Sequence, residues 1–204
     1  MLTYTGDVHS PSELPLFPLR TVLFPGGELR LRIFEARYLD MVKQCGRTGS
    51  GFGVCLILDG DEVGRPATPA AFGTLARIVD FHADDDGLLG LQVRGECRFH
   101  ALRTRVRDNG LIVAEIERLP ELPPHPVEPE HGLLATLLER LIERFGGPHA
   151  KAERACYDDA AWVGYRLAEI LPFNPAERQE LLQCGSDHAR LDRIVRRLPQ
   201  FQEA

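Results

Sequence analysis

The sequence predicts an α+β protein: a β barrel or sandwich carrying one short helix, followed by a C-terminal helical bundle. Three observations predict it. Apolar residues recur with a strand-like period from Leu14 to about Leu119, LPELPPHPVEPE at 119–130 places five prolines in a row of twelve, and beyond it the period is helical throughout. Proline removes backbone donors and favours extended chain, so 119–130 reads as a linker between a β lobe at 1–120 and a helical lobe at 121–204.

In ELRLRI, Leu29, Leu31 and Ile33 alternate with Arg30 and Arg32, which puts the two sets on opposite faces of a strand. The period then changes. Phe34, Tyr38, Met41, Val42 and Cys45 fall on one side of a helix, so Phe34 is expected to be buried with the rest. Further strands are expected at 52–58, 74–82, 88–95, 97–106 and 111–118. ADDDG at 83–87 and RDNG at 107–110 supply turns, the second with Asn109-Gly110 suited to positive φ. After the linker, Leu133, Leu134, Leu137, Leu138, Leu141, Ile142 and Phe145 form one helical stripe, and Trp162, Val163, Leu167, Ile170 and Leu171 suggest another. Asn174-Pro175-Ala176-Glu177 combines an N-cap, proline at the first helical position and a capping-box glutamate. Cys184-Gly185-Ser186 ends that helix and caps a last one, whose Leu191, Ile194, Val195 and Leu198 face inward.

A chain of 204 residues, 44% hydrophobic and 26% charged, has enough apolar surface for a core and the balance of an ordinary globular protein. The net charge of −6 argues against general affinity for nucleic acid or anionic membrane. The N-terminus lacks a basic segment followed by an apolar run, and the longest compact apolar run, VCLIL, is too short to span a bilayer, so a cytoplasmic setting is expected. The five cysteines are scattered without a C-x-x-C pair, which fits reduced thiols.

Motifs that would carry chemistry are weak. Gly49, Gly51 and Gly53 follow a helix and precede a strand, the reverse of a phosphate loop, so a flexible turn is the better reading. None of Ser10, Ser12, Ser50 and Ser186 sits in a nucleophile elbow. Cys97 and His100, three apart on a strand, point to opposite faces. Asp84, Asp85 and Asp86 lack the spacing of a calcium loop. Arg103, Arg105 and Arg107 share a strand face, and Arg190, Arg193, Arg196 and Arg197 crowd the last helix; pairing with the plentiful acids is favoured over an anion-binding surface. No catalytic residue, metal site or cofactor is expected.

Taken in order, ELPLFPLRTVLFPGGELRLRIFEARYLDMV, FGTLARIVDF, LLGLQVRGECRFHA, IVAEIERLPE and LPFNPAERQELLQCGSDHARLDRIVRRL resemble the successive motifs of the Lon protease N-terminal, substrate-binding domain, over nearly all of 12–198. The resemblance implies a PUA-like β lobe and a helical lobe. Full Lon proteases add an ATPase with a phosphate loop and a serine-lysine peptidase; neither lies within this chain, and Lys43 and Lys151 have no serine partner, so a free-standing, non-catalytic member is the expectation. The family's role further implies binding of unfolded or exposed polypeptide segments, with Phe17, Leu23, Phe24, Tyr38 and Trp162 as candidate contacts and a separate protease as a further partner. RNA binding, known for PUA-like folds, is the alternative and is disfavoured by charge. Pro18, Pro25, Gly26, Phe34, Glu35 and Arg37 of the opening motif are expected to be structural: prolines at strand ends, a glycine reversal, an anchoring ring, and an acid and base too close in sequence to pair with each other.

Overall fold

The computed structural model describes residues 12–83, 87–120 and 123–201. Its β lobe contains β1 (Ser12–Leu19), β2 (Glu28–Ile33), β3 (Phe52–Asp59), β4 (Thr68–Ala83), β5 (Leu89–Val106) and β6 (Ile112–Arg118), with the helix α1 (Ala36–Thr48) between β2 and β3. The strands form one sheet in the order β2-β5-β4-β3-β1-β6, and a further β5–β6 pairing brings that sheet back on itself. It is not a clean barrel. The first half of β1 pairs antiparallel with β6, and its second half, from Leu16 to Leu19, pairs parallel with β3. β2 pairs with β5 alone, through Glu28–Ile33 against Leu89–Arg94. A seam is therefore left where β2 and the end of β1 face one another without strand pairing among the described residues.

The two strands expected at 88–95 and 97–106 are a single long β5, whose register shifts let it serve different neighbours along its length. Gly95 lies at the change of partner. A Cβ there would sit 2.3 Å from the Phe24 carbonyl oxygen, and the Gly95 amide donates to Gly27 O while Gly26 N donates to Gly95 O, each at 2.9 Å. The Pro25-Gly26-Gly27 reversal, with Gly26 at φ 75°, is thereby fastened to β5. At the RDNG hairpin only Gly110 has positive φ (82°); Asn109 instead accepts from Leu111 N through Oδ1, which gives a turn closed by one left-handed glycine. Asp84, Asp85 and Asp86 lie outside the described residues. The glycines at 49–53 are not a flexible turn: Gly49 ends α1 at φ 65°, and a Cβ on Gly53 would strike Phe99 and Leu16 inside the β lobe.

The helical lobe comprises α2 (Gly132–Phe145), α3 (Ala160–Ile170), α4 (Pro175–Gln183) and α5 (Asp187–Arg197), with short 3-10 turns at Pro129–His131, Arg154–Asp158 and Leu198–Phe201. The expected capping box is present, Asn174 Oδ1 accepting from Glu177 N at 2.9 Å and Glu177 Oε2 from Asn174 N at 2.8 Å. Ser186 caps α5 by accepting from Ala189 N. Three apolar positions depart from the expected stripes. Leu133, Phe145 and Val195 are exposed, because α2 and α5 bury only the narrower lines Leu134-Leu138-Ile142 and Leu191-Ile194.

Of three buried apolar clusters among the described residues, two lie within the β lobe and the third crosses into the helical lobe. Val22, Phe24, Leu56 and Ala70 of the β lobe belong to the same buried cluster as Leu138, Val163, Leu167 and Ile194. Polar bonds cross the same boundary. Arg98 Nη1 donates to Leu182 O and Cys184 O, Gln179 to Phe72 O, and Arg166 Nη2 to Pro25 O. Two of the buried arginines lie within the helical lobe, against the expectation of surface charge for Arg190. Arg190, fully buried, bonds Asp187, Leu181 O and Tyr165 Oη and lies 4.0 Å over the Tyr165 ring, while Arg166 bonds Glu169.

Candidate functional site

The seam between β1 and β2 holds a groove of about 310 Å³. Its floor is aromatic: Phe17 points inward from β1, Tyr38 from the first turn of α1, and their ring centroids are 4.3 Å apart. Leu31 adds an aliphatic surface from the inward set of β2, as strict alternation requires. Above this floor stand Phe34 and Val63, 51% and 55% exposed, and the rim carries Arg30, Arg32, Glu35 and Glu62. An apolar trough with polar residues of both signs at its edge suits an extended chain segment better than a compact charged metabolite.

The Phe34 position overturns the expectation of a buried helical anchor. The chain is still extended at Glu35 (φ −80°, ψ 135°) and α1 begins only at Ala36, so Phe34 is not in phase with Tyr38, Met41 and Val42 and projects outward. The same geometry overturns the expectation that Glu35 and Arg37 do not pair with each other. Because Glu35 precedes the helix, its carboxylate turns back to meet the buried Arg37 at 2.9 Å. Arg37 also donates to Gly110 O at 3.1 Å and lies 4.7 Å over the Tyr38 ring, so it ties the groove floor to the β5–β6 hairpin.

The five candidate contacts do not converge. Phe17 and Tyr38 share the groove floor. Phe24 is wholly buried beside Tyr165 under the helical lobe and offers no surface. Leu23 lines a second cavity of about 280 Å³ between the lobes. Trp162, half-buried on α3, stands edge-on to Tyr157 and His149 near that cavity. Around it the electrostatics are strained: burial, reinforced by Arg166, pushes the His149 imidazole down to about 4, and burial outweighs Arg166 to push the Glu169 carboxyl up to about 7. A Cβ on Gly27 would sit 2.0 Å from Glu169 Oε1, so the glycine reversal packs directly onto this group. Pro18 lies within β1, opposite Cys55, and Pro25 supplies the carbonyl that Arg166 holds.

Other candidate chemistry is absorbed by structure. Burial pushes the Cys55 thiol up to about 12 and raises those of Cys45 and Cys184, which removes thiolate character at neutral pH. His100 stacks on Phe72 at 4.5 Å. Arg105 and Arg107 both clasp Glu13, Arg193 meets Glu180, and Arg197 meets Glu177, so these four of the row arginines are paired with acids. No helix among the described residues is long and apolar enough to cross a membrane.

A β sheet folded back on itself and joined to a helical lobe is the fold this chain shares with solved Lon N-terminal domains. The chain belongs to the family described as the ATP-dependent protease La (LON) substrate-binding domain, whose family model matches residues 13–200. The crystal structure of a Lon N-terminal domain protein from Xanthomonas campestris is 49% identical, with a TM-score of 0.77 over 90% of this chain and 97% of that one. The N-terminal domain of a Mycobacterium avium complex Lon protease shares the fold at TM-score 0.65 and 16% identity, over 89% and 95% of the two chains. A LON peptidase N-terminal domain and RING finger protein of Schizosaccharomyces pombe is 26% identical over 99% of this chain and 48% of its own length. Protein cereblon of Xenopus tropicalis is 29% identical over 56% of this chain and 26% of its own. The chain thus spans about half or less of the length of these curated relatives.

Proposed function

We propose that this chain is a non-catalytic, cytoplasmic polypeptide-binding module whose seam groove receives exposed apolar segments of unfolded or partly folded proteins. The observation that carries the reading is the exposed pair Phe34 and Val63 standing over the Phe17–Tyr38 floor. Burying the remaining exposed half of these two side chains against a client would contribute about 1 kcal/mol each. The groove also runs beside two strand edges without strand partners among the described residues, so an extended segment finds backbone donors and acceptors as well as apolar contact. Delivery of such clients to a separate protease is the form this activity takes if the module acts as an adaptor. Binding of RNA finds less support, because the net charge is −6 and Arg105, Arg107, Arg193 and Arg197 are engaged by acids.

Fluorescence anisotropy with labelled apolar peptides tests the groove. Saturable binding is expected, weakened at least tenfold by Phe34→Asp while the melting temperature stays within about 2 °C, since an exposed ring contributes little to folding. Absence of saturable binding to any peptide of a varied panel, or unchanged affinity in Phe34→Asp, would sink the proposal. Pull-down from native cells then separates the adaptor form, which recovers a protease, from a simple client binder.

A further inference from the structure

We infer that the junction between the proline-rich linker and the last helix is a binding site for a borderline divalent cation of the zinc type. The 3-10 turn Pro129–His131 sets Glu130 and His131 against the exposed face of α5, where His188 and Asp192 stand one helical turn apart. Ligand atoms of Glu130, His131 and His188 all lie within 4.8 Å of one another. Asp192 sits between the two imidazoles, with Oδ1 3.0 Å from His131 Nε2 and Oδ2 3.7 Å from His188 Nε2, and Glu130 Oε1 is 3.5 Å from His188 Nε2. A tetrahedral ion with bonds of about 2.0–2.1 Å separates its ligands by about 3.3 Å, so these spacings need only small rotamer adjustments to close around one.

The donor set selects the metal. Two neutral imidazoles with the Glu130 carboxylate match zinc and its first-row neighbours, Asp192, in contact with both imidazoles but outside that three-ligand cluster, turning in as the fourth, whereas calcium and magnesium would demand more oxygen ligands. His131 is 3% exposed and cannot swing away, which gives the site one fixed donor, and Glu130 and His188 approach it from the solvent side. Its Nδ1 has no hydrogen-bond partner, so no second acceptor commits the ring to one tautomer. The rings of His131 and His188 are already edge-to-face at 4.9 Å. His131 and Asp192 are 61 positions apart, so no ligand motif is visible in the sequence. A bound ion would clip the end of the linker to α5 and so fix where the helical lobe begins.

Calorimetric titration of the chelator-treated full chain with Zn²⁺ at pH 7.5, paired with thermal melts, tests this. One equivalent is expected to bind, and free Zn²⁺ at about a hundred times its Kd should raise the melting temperature on the order of 5–10 °C. His188→Ala and Asp192→Asn, both at accessible positions, should each weaken binding at least tenfold, and Asp40→Asn on the distant α1 should leave it unchanged. Co²⁺ in place of Zn²⁺ should give intense visible bands of a tetrahedral site that His188→Ala abolishes. Failure to bind one equivalent, or equal binding by wild type and His188→Ala as expected if the cysteines captured the ion, would overturn the inference. It would equally fail if the two variants changed stability only on acidification and never with Zn²⁺, the signature of plain imidazolium–carboxylate pairs.

Discussion

Phe34 and Glu169 show how much a single side chain's surroundings decide. By period, Phe34 belongs to the buried stripe of α1; by backbone, it precedes the helix and faces outward, so its removal is expected to cost binding rather than folding. Glu169 is the opposite case, a carboxyl drawn into the space between the lobes by Arg166 and the glycine reversal. Its native pKa of about 7 exceeds the ordinary 4.5, so the stability it contributes is full below about pH 4.5 and is lost as pH rises through 7. His149, held at about 4 against an ordinary 6.5, contributes above 6.5 and loses that contribution as pH falls towards 4. The two slopes oppose each other across the mildly acid range. Glu169→Gln removes one of them, and its stability relative to wild type should rise by on the order of 2–3 kcal/mol between pH 4.5 and 8. Urea denaturation at several pH values checks this; a pH-independent difference would mean that Glu169 stays ionised throughout.

At the scale of elements, local signals held where they are satisfied by neighbours in sequence. The capping box at Asn174 and the Ser186 cap of α5 involve partners three residues away, so spacing alone specifies them. Asn174→Ala should destabilise the chain by about 1 kcal/mol, read as a lower denaturation midpoint with unchanged slope. A loss above about 3 kcal/mol would show that the cap also supports the lobe contact made by the neighbouring Gln179. Signals that depend on distant partners specify the structure less closely. The break expected within 88–106 is a bend in one strand, because Gly95 yields room to Phe24 O rather than ending the pairing. Exposure of Leu133, Phe145 and Val195 follows the same rule: an apolar stripe in sequence states which positions are able to pack, and the neighbouring helices take only some of them.

For the whole molecule, the proline-rich segment marks the change from strands to helices, yet the apolar cluster and the buried arginines join the two sides of it. We therefore expect both lobes to unfold together. Arg98 carries much of the polar part of that union, and Arg98→Met leaves two carbonyls without their donor, at a cost of about 2–4 kcal/mol. Trp162 fluorescence reports on the helical lobe and amide exchange of β4 and β5 on the strands. Both should shift by the same free energy in the variant, and a shift confined to Trp162 would make the lobes separate folding units.

The α+β class, the change from strands to helices, the caps and the family are legible in the sequence, since each depends on local period, turn chemistry or the succession of motifs. Only the tertiary structure decided that the sheet leaves a seam between β1 and β2, that Phe34 stands over it, that Arg98, Arg166 and Arg190 are buried ties, and that His131 and His188 meet. The reason is physical. Period and capping are fixed by bonds between near neighbours, whereas burial and the convergence of side chains depend on which distant surfaces the folded chain brings into contact.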